Sequence, residues 1–287
     1  MNFQILNNIS SIADNYEGFL IDLWGVIHDG SNLYPGVLEC LLELRKKNKQ
    51  IIFLSNAPRR AFKAQIVLER LNIKKELYDH IVTSGEITYN YIEKFDHNLG
   101  TKFMILGPDK DDDILAGVPN HNQVTQIKDA DFVVITGFDN DNSTLEELIP
   151  QISEIKKYNL PCICANPDIE VVKIDGTRAL CAGVIAKYYE EIGGKVIYFG
   201  KPYKQVYEHS LKLFNSSSNK IAAIGDNLET DIKGANEFNL DSYLIAGGIL
   251  AKELQLLNDE PLDKNKLMKL FAKYKITPKV VLPKFIW

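Results

Sequence analysis

The sequence predicts an α/β protein built on a doubly wound parallel sheet. Three observations carry this. First, short apolar runs of strand length recur along the chain, and near-continuous apolar strands are what a sheet buried on both faces requires. Second, these runs alternate with stretches of helical period, the pattern of βαβ units. Third, four of the runs end in polar or charged groups, Asp22, Ser55-Asn56, Lys201 and Asp226. In open α/β sheets, functional groups gather at the carboxyl ends of the strands.

The predicted strands are, in order, Phe19–Asp22, Gln50–Leu54, Lys102–Leu106, Asp131–Thr136, Pro161–Ala165, Val196–Phe199, Lys220–Ile224 and Asp241–Ile245. Helical stretches lie over Pro35–Asn48, Arg60–Leu71, Ser143–Tyr158 and Gln205–Phe214. Pro35 and Pro202 are read as helix openers, where a missing N–H costs nothing. Residues 168–177 read as a hairpin with Asp175-Gly176 at its turn. Beyond Leu250 the chain reads as one or two helices and an extended tail ending in Trp287. The middle of the chain carries its own strands and helices, together with an acidic loop, Asp109 to Asp113, read as a solvated turn.

Composition removes several function classes. A chain of 287 residues is about two domains long and needs no disulfide or metal staple to fold. Its net charge of −5 and pI near 5.6 argue against nucleic acid as the main partner. No apolar run has the length of a membrane span, and the first residues lack a signal-peptide pattern, so a cytoplasmic protein is expected. Cys40, Cys162, Cys164 and Cys181 form no ligand spacing or framework and are read as buried thiols in a reducing compartment.

The four polar strand ends suggest one chemistry. Asp22, Asp226 and Asp231 offer oxygen ligands for a single hard cation, and magnesium fits because it needs few protein ligands and keeps waters and a substrate phosphate. Ser55 and Asn56 donate hydrogen bonds to a phosphoryl group, and Lys201 neutralises charge.

Together these residues resemble the haloacid dehalogenase (HAD) superfamily. Its motifs are matched by Asp22 in LIDLWGV, Ser55 in FLSNAPR, Lys201 in FGKPY, and Gly225-Asp226 with Asp231 in IGDNLETD. The segments SNAPRR, ANPD at 165–168, CAG at 181–183 and FGKP at 199–202 resemble its class IIA, NagD-like branch. The resemblance implies a core of residues 1–83 and 194–287 with a smaller α/β cap inserted at 84–193. It implies a magnesium-dependent hydrolase of a small phosphorylated metabolite, with an aspartyl-phosphate formed on Asp22. Metal ligands would be Asp22, the carbonyl of Trp24, Asp226 and Asp231. Ser55, Asn56 and Lys201 would hold the phosphoryl group, with Asn166 and Asp168 of the cap as substrate contacts. Members of this class often self-associate through their caps.

One residue departs from the pattern. The second Asp of the family's Asp-x-Asp-Gly motif protonates the leaving oxygen, and here it is Trp24. An indole N–H does not transfer protons near neutral pH. Several readings follow. The enzyme acts on good leaving groups such as acyl or aryl phosphates; or His28 or Asp29 stands in; or the chain is a non-catalytic phospho-ligand-binding or regulatory protein. A metal-free dehalogenase is a weaker fourth, because Gly225-Asp226 and Asp231 argue for phosphoryl chemistry.

Overall fold

The computed structural model describes residues 2–94, 98–172, 177–256 and 261–287. The chain begins with β1 (Gln4–Ile5), β2 (Gly18–Asp22), α1 (Val37–Lys46), β3 (Gln50–Ser55), α2 (Ala61–Arg70), β4 (His80–Thr83) and α3 (Ser84–Glu93). A second group follows: β5 (Lys102–Leu106), β6 (Asn122–Gln123), β7 (Phe132–Ile135), α4 (Leu145–Lys157), β8 (Cys162–Cys164), β9 (Glu170–Val172), β10 (Arg178–Leu180), α5 (Ala182–Glu191) and β11 (Val196–Tyr198). The chain closes with α6 (Lys204–Leu211), β12 (Ile221–Gly225), α7 (Lys233–Glu237), β13 (Asp241–Ile245), α8 (Ala251–Leu254), α9 (Lys264–Tyr274) and β14 (Val280–Leu282).

Two parallel sheets result. The larger has seven strands in the order β1-β14-β13-β12-β2-β3-β4, and the smaller has five in the order β11-β8-β7-β5-β6. Successive residues of a strand face opposite sides. Phe19 and Ile21 of β2 therefore pack with α1 and the N-terminal segment, while Leu20 packs with α3 and α6 on the other face. That second cluster continues into Phe103, Phe132 and Ile163 of the smaller sheet, so α3 and α6 lie in one apolar layer between the sheets. Helices α4 and α5 cover the far side of the smaller sheet.

The eight expected strands and four expected helices all form, with ends shifted by a few residues. The proline expectation needs correction. Helix α1 starts at Val37 after Gly36, whose φ is 84°, and α6 starts after Tyr203, so Pro35 and Pro202 each stand outside the helix they precede. The expected boundary at 194 also shifts. Strand β11 pairs with β8, so the return to the larger sheet falls after Tyr198. The extended tail is a strand, β14, which seats β1 beside it at the sheet edge. Strands β9 and β10 form the expected hairpin, whose turn lies outside the described residues. Among the described residues no helix is long and apolar enough to cross a membrane. All four cysteines are free and buried.

Candidate active site

Parallel register places the ends of β2, β3 and β12 side by side: Ile21 opposes Ile224, and Asp22 opposes Leu54. Asp22, Ser55 and Asp226 thus reach one edge of the sheet. Asp231 joins them from a π-helical turn over Leu228–Ile232, and Lys201 from the segment linking the two sheets. All five are buried.

Lys201 organises this floor. Its ammonium donates to Asp22 Oδ1 at 2.5 Å, to Asp231 Oδ1 at 2.7 Å and to the Leu54 carbonyl at 3.3 Å. An ammonium has three N–H groups, so all are committed to the protein. Its role is to hold Asp22 and Asp231 rather than to reach outward. Burial opposes its charge, yet Asp22 and Asp231 hold its pKa well above the ordinary value.

The carboxylates outnumber this cation. Carboxylate oxygens of Asp22, Asp226 and Asp231 lie within 4.8 Å of one another. Burial, with the charges of Asp231 and Asp226, pushes the Asp22 carboxyl up against the pull of Lys201. Burial and Asp231 push Asp226 up to about 8. Three buried carboxylates against one ammonium leave an excess of negative charge that a divalent cation offsets. The donor set is also suitable. Asp226 Oδ2 accepts from the Ile249 N–H at 2.7 Å and Asp231 Oδ2 from the Asn227 N–H at 3.1 Å, which leaves oxygens of Asp22 and Asp226 without a hydrogen bond among the described residues. The Leu23 carbonyl accepts from Ile27 and His28, whereas the Trp24 carbonyl accepts no backbone hydrogen bond there. An all-oxygen set of this kind suits magnesium.

Gly25 makes the close packing possible. Its φ is 86°, and a Cβ at this position would lie 2.0 Å from Asp226 Oδ2. A side chain here meets both backbone strain and a carboxylate.

A cavity of about 220 Å³ opens above the floor, lined below by Asp22, Ser55, Lys201 and Asp226 and above by residues of the cap. Ser55 Oγ accepts from the Ala57 N–H at 3.2 Å. The Asn56 side chain is a clamp. Its Oδ1 accepts from the Lys201 N–H at 2.6 Å, and its Nδ2 donates to the Lys201 carbonyl at 3.1 Å and to Asp168 Oδ1 at 2.9 Å. Its own N–H makes no backbone hydrogen bond among the described residues. Asn166 Oδ1 accepts from the Asp168 N–H at 3.1 Å, so the ANPD segment is a tight turn that aims Asp168 inward. Gly183 lets this turn approach α5, since a Cβ there would meet the Pro167 carbonyl at 2.3 Å.

Trp24 also lines the cavity, and its indole N–H donates to the Val172 carbonyl of the hairpin at 2.9 Å. His28 and Asp29 do not line the cavity. His28 Nδ1 accepts from the Gly30 N–H at 2.8 Å, and burial lowers its pKa to about 4. Asp29 Oδ1 accepts from the Ser31 and Asn32 N–H groups at 2.9 and 2.7 Å. Both side chains build the loop after β2, which corrects the expectation that either stands in as the acid.

The acidic loop is solvated as expected at Asp109, Lys110, Asp112 and Asp113, and Asp111 is the exception. Asp111 is only 3% exposed and accepts from Arg59 Nε at 2.8 Å, while Asp113 pairs with Lys63 at 2.5 Å. These pairs tie the smaller sheet's loop to the segment after β3. Thr136, at the end of β7, also escaped the sequence reading. It is buried in the cavity wall, and its Oγ1 has no hydrogen-bond partner among the described residues.

The comparison with known proteins agrees with this geometry. The model of haloacid dehalogenase-like hydrolases matches residues 19–119, and an HAD-hydrolase-like model matches residues 198–263. The chain belongs to the haloacid dehalogenase superfamily. It is 29% identical over 236 residues to the sugar-phosphatase AraL of Bacillus subtilis, across 80% of this chain and 83% of that protein. A haloacid dehalogenase-like hydrolase from Brucella suis 1330 superposes with a TM-score of 0.83 at 28% identity, covering 98% of this chain and all of that one. A 4-nitrophenylphosphatase from Thermotoga maritima gives a TM-score of 0.70 at 26% identity, over 95% and 96% of the two chains. This HAD chain is a phosphatase-like hydrolase.

Proposed function

We propose that this chain hydrolyses the phosphate of a small phosphorylated metabolite, a sugar phosphate or a compound of similar size, with magnesium as cofactor. The observation that carries the reading is the convergence of Asp22, Asp226 and Asp231 around Lys201 on the floor of a small cavity. Asp22 is the nucleophile. Lys201 holds the Asp22 carboxylate through Oδ1, which orients it for the attack. Asp22, Asp226, Asp231 and the Trp24 carbonyl hold magnesium, which offsets negative charge on the phosphoryl group. Ser55 and the Asn56 N–H bind phosphoryl oxygens. The attack forms an aspartyl-phosphate on Asp22, and water then releases phosphate. The small cavity supports a small substrate, and the names of the AraL and Thermotoga relatives support sugar and aryl phosphates as trial substrates.

The test is phosphate release from 4-nitrophenyl phosphate and from a panel of sugar phosphates, with and without magnesium. Turnover that requires magnesium and disappears in Asp22→Asn is expected. Turnover that persists in Asp22→Asn overturns the nucleophile assignment. No turnover in folded, magnesium-binding protein leaves phospho-ligand binding as the function.

A further inference from the structure

Trp24 leaves the reaction without its usual proton donor, since its single N–H is engaged by Val172. Cleavage of an alkyl ester expels an alkoxide, and protonating it is worth on the order of 100- to 10,000-fold. A replacement donor must reach the leaving oxygen from the cavity wall.

The carboxyl groups outside the metal cluster are not equal candidates. Asp29 lies outside the cavity. Asp111 is engaged by Arg59, Glu170 by Arg178, and Asp113 by Lys63. Asp141 stands exposed on the rim. Asp168 differs from all of them. It lines the cavity beside Lys201, makes no ion pair among the described residues, and takes one neutral hydrogen bond, from Asn56 Nδ2 to Oδ1. Its second oxygen carries no hydrogen bond there. Its backbone is held by Asn166 and by the close approach of Gly183. It reaches the cavity from the cap, whereas Asp22 stands on the floor, and the leaving group of an in-line displacement departs away from the nucleophile.

Resting on the phosphatase reading above, we propose that Asp168 is the general acid of this enzyme and takes over the task that Trp24 cannot perform. Asp22 Oδ attacks phosphorus as the phosphorus–oxygen bond to the leaving group breaks. The bonding pair stays on the leaving oxygen, which takes the proton of the Asp168 carboxyl and departs as an alcohol. Asp168 is left as a carboxylate. Its environment suits a proton donor. Burial, with a smaller push from Asp231, raises its pKa to about 6 against the pull of Lys201 and Asn56. Asn56 thereby links the phosphoryl-binding loop, Lys201 and the acid through one amide.

The test compares two esters in one protein sample. A nitrophenolate leaves without protonation, whereas an alkoxide does not, so the ratio of kcat/KM for alkyl phosphate to that for 4-nitrophenyl phosphate reports the acid. This parameter ends at the first irreversible step and is blind to later hydrolysis. In Asp168→Asn the ratio is expected to fall about 100-fold or more. Asp168→Glu, which keeps the carboxyl, is expected to recover part of it. An unchanged ratio in Asp168→Asn, whatever the absolute loss, overturns the proposal and leaves Asp168 a structural residue. Should neither variant fold, the unaltered enzyme decides. Its kcat/KM is expected to vary shallowly with leaving-group pKa, and a steep decline overturns the inference. Loss of both esters in Asp22→Asn tests the nucleophile separately, so the two readings fail in different ways.

Discussion

The floor and the roof of the cavity are built on different principles. The floor is a charge cluster: three buried carboxylates and one buried ammonium, which pairs with two of them at 2.5 and 2.7 Å. Apart from the Arg59–Asp111 and Lys63–Asp113 pairs, the roof meets the lower half through neutral donors and acceptors. Asp168 meets the amide of Asn56, the Val172 carbonyl meets the indole of Trp24, and the Thr136 hydroxyl has no hydrogen-bond partner among the described residues. Charge clusters in a low-dielectric setting are stiff and costly to break, whereas single neutral hydrogen bonds contribute about 1 kcal/mol each. The difference teaches that nucleophile and metal ligands are fixed below, while the roof sets substrate choice and, through Asp168, delivers the proton. Floor substitutions are expected to act on kcat, and roof substitutions other than at Asp168 on KM.

The largest effect tests the floor. Lys201→Met leaves Asp22 and Asp231 buried with no counter-charge, a loss of about 3–5 kcal/mol in similar settings. Turnover is expected to drop at least about 1000-fold, and the melting temperature to fall, with partial recovery in high magnesium. Near-normal turnover in this variant would falsify the view that Lys201 holds the nucleophile.

The floor was legible in the sequence because each of its residues sits at the end of a strand or in the turn just after one. Asp22, Ser55 and Asp226 each close an apolar run, and the parallel register then brings them together. The roof was legible only in part. Asn166 and Asp168 stand out as an Asn-Pro-Asp turn after β8. Arg59 and Asp111 are 52 positions apart, so their pairing is a property of the fold rather than of either segment. The Val172 contact uses a backbone carbonyl, which any residue supplies and no residue type advertises. His28 and Asp29 misled for the opposite reason. They are close to Asp22 along the chain, but the loop turns both into its own hydrogen bonds.

The next two effects test the roof. Arg59→Met strands the carboxylate of Asp111, which is 3% exposed, and is expected to cost about 1–3 kcal/mol by thermal unfolding. KM should rise about tenfold with a smaller change in kcat, and adding Asp111→Asn should return most of the stability. A larger loss in kcat than in KM would break the division between floor and roof. Thr136→Val removes a buried hydroxyl that has no hydrogen-bond partner among the described residues. Such a hydroxyl costs stability, so unfolding is expected to be unchanged or slightly later. If its purpose is to meet a substrate hydroxyl, KM for a sugar phosphate rises up to about tenfold while that for 4-nitrophenyl phosphate does not. Equal effects on both substrates would remove Thr136 from the recognition surface.

The smallest effect concerns the residue that joins the two halves. Trp24 belongs to the floor by sequence and to the roof by contact, since it follows Asp22 by two positions while its indole holds the hairpin. Trp24→Phe keeps the ring and the backbone but deletes the bond to Val172. Loss of one neutral hydrogen bond is worth about 1 kcal/mol, roughly fivefold in an equilibrium. If the bond only steadies the hairpin, kcat is retained and KM rises by about that factor, with magnesium affinity unchanged because the carbonyl is untouched. Turnover slowed about 100-fold or more at saturating substrate would instead mean that the indole contributes to the chemical step. The floor and roof would then not be separable at this residue.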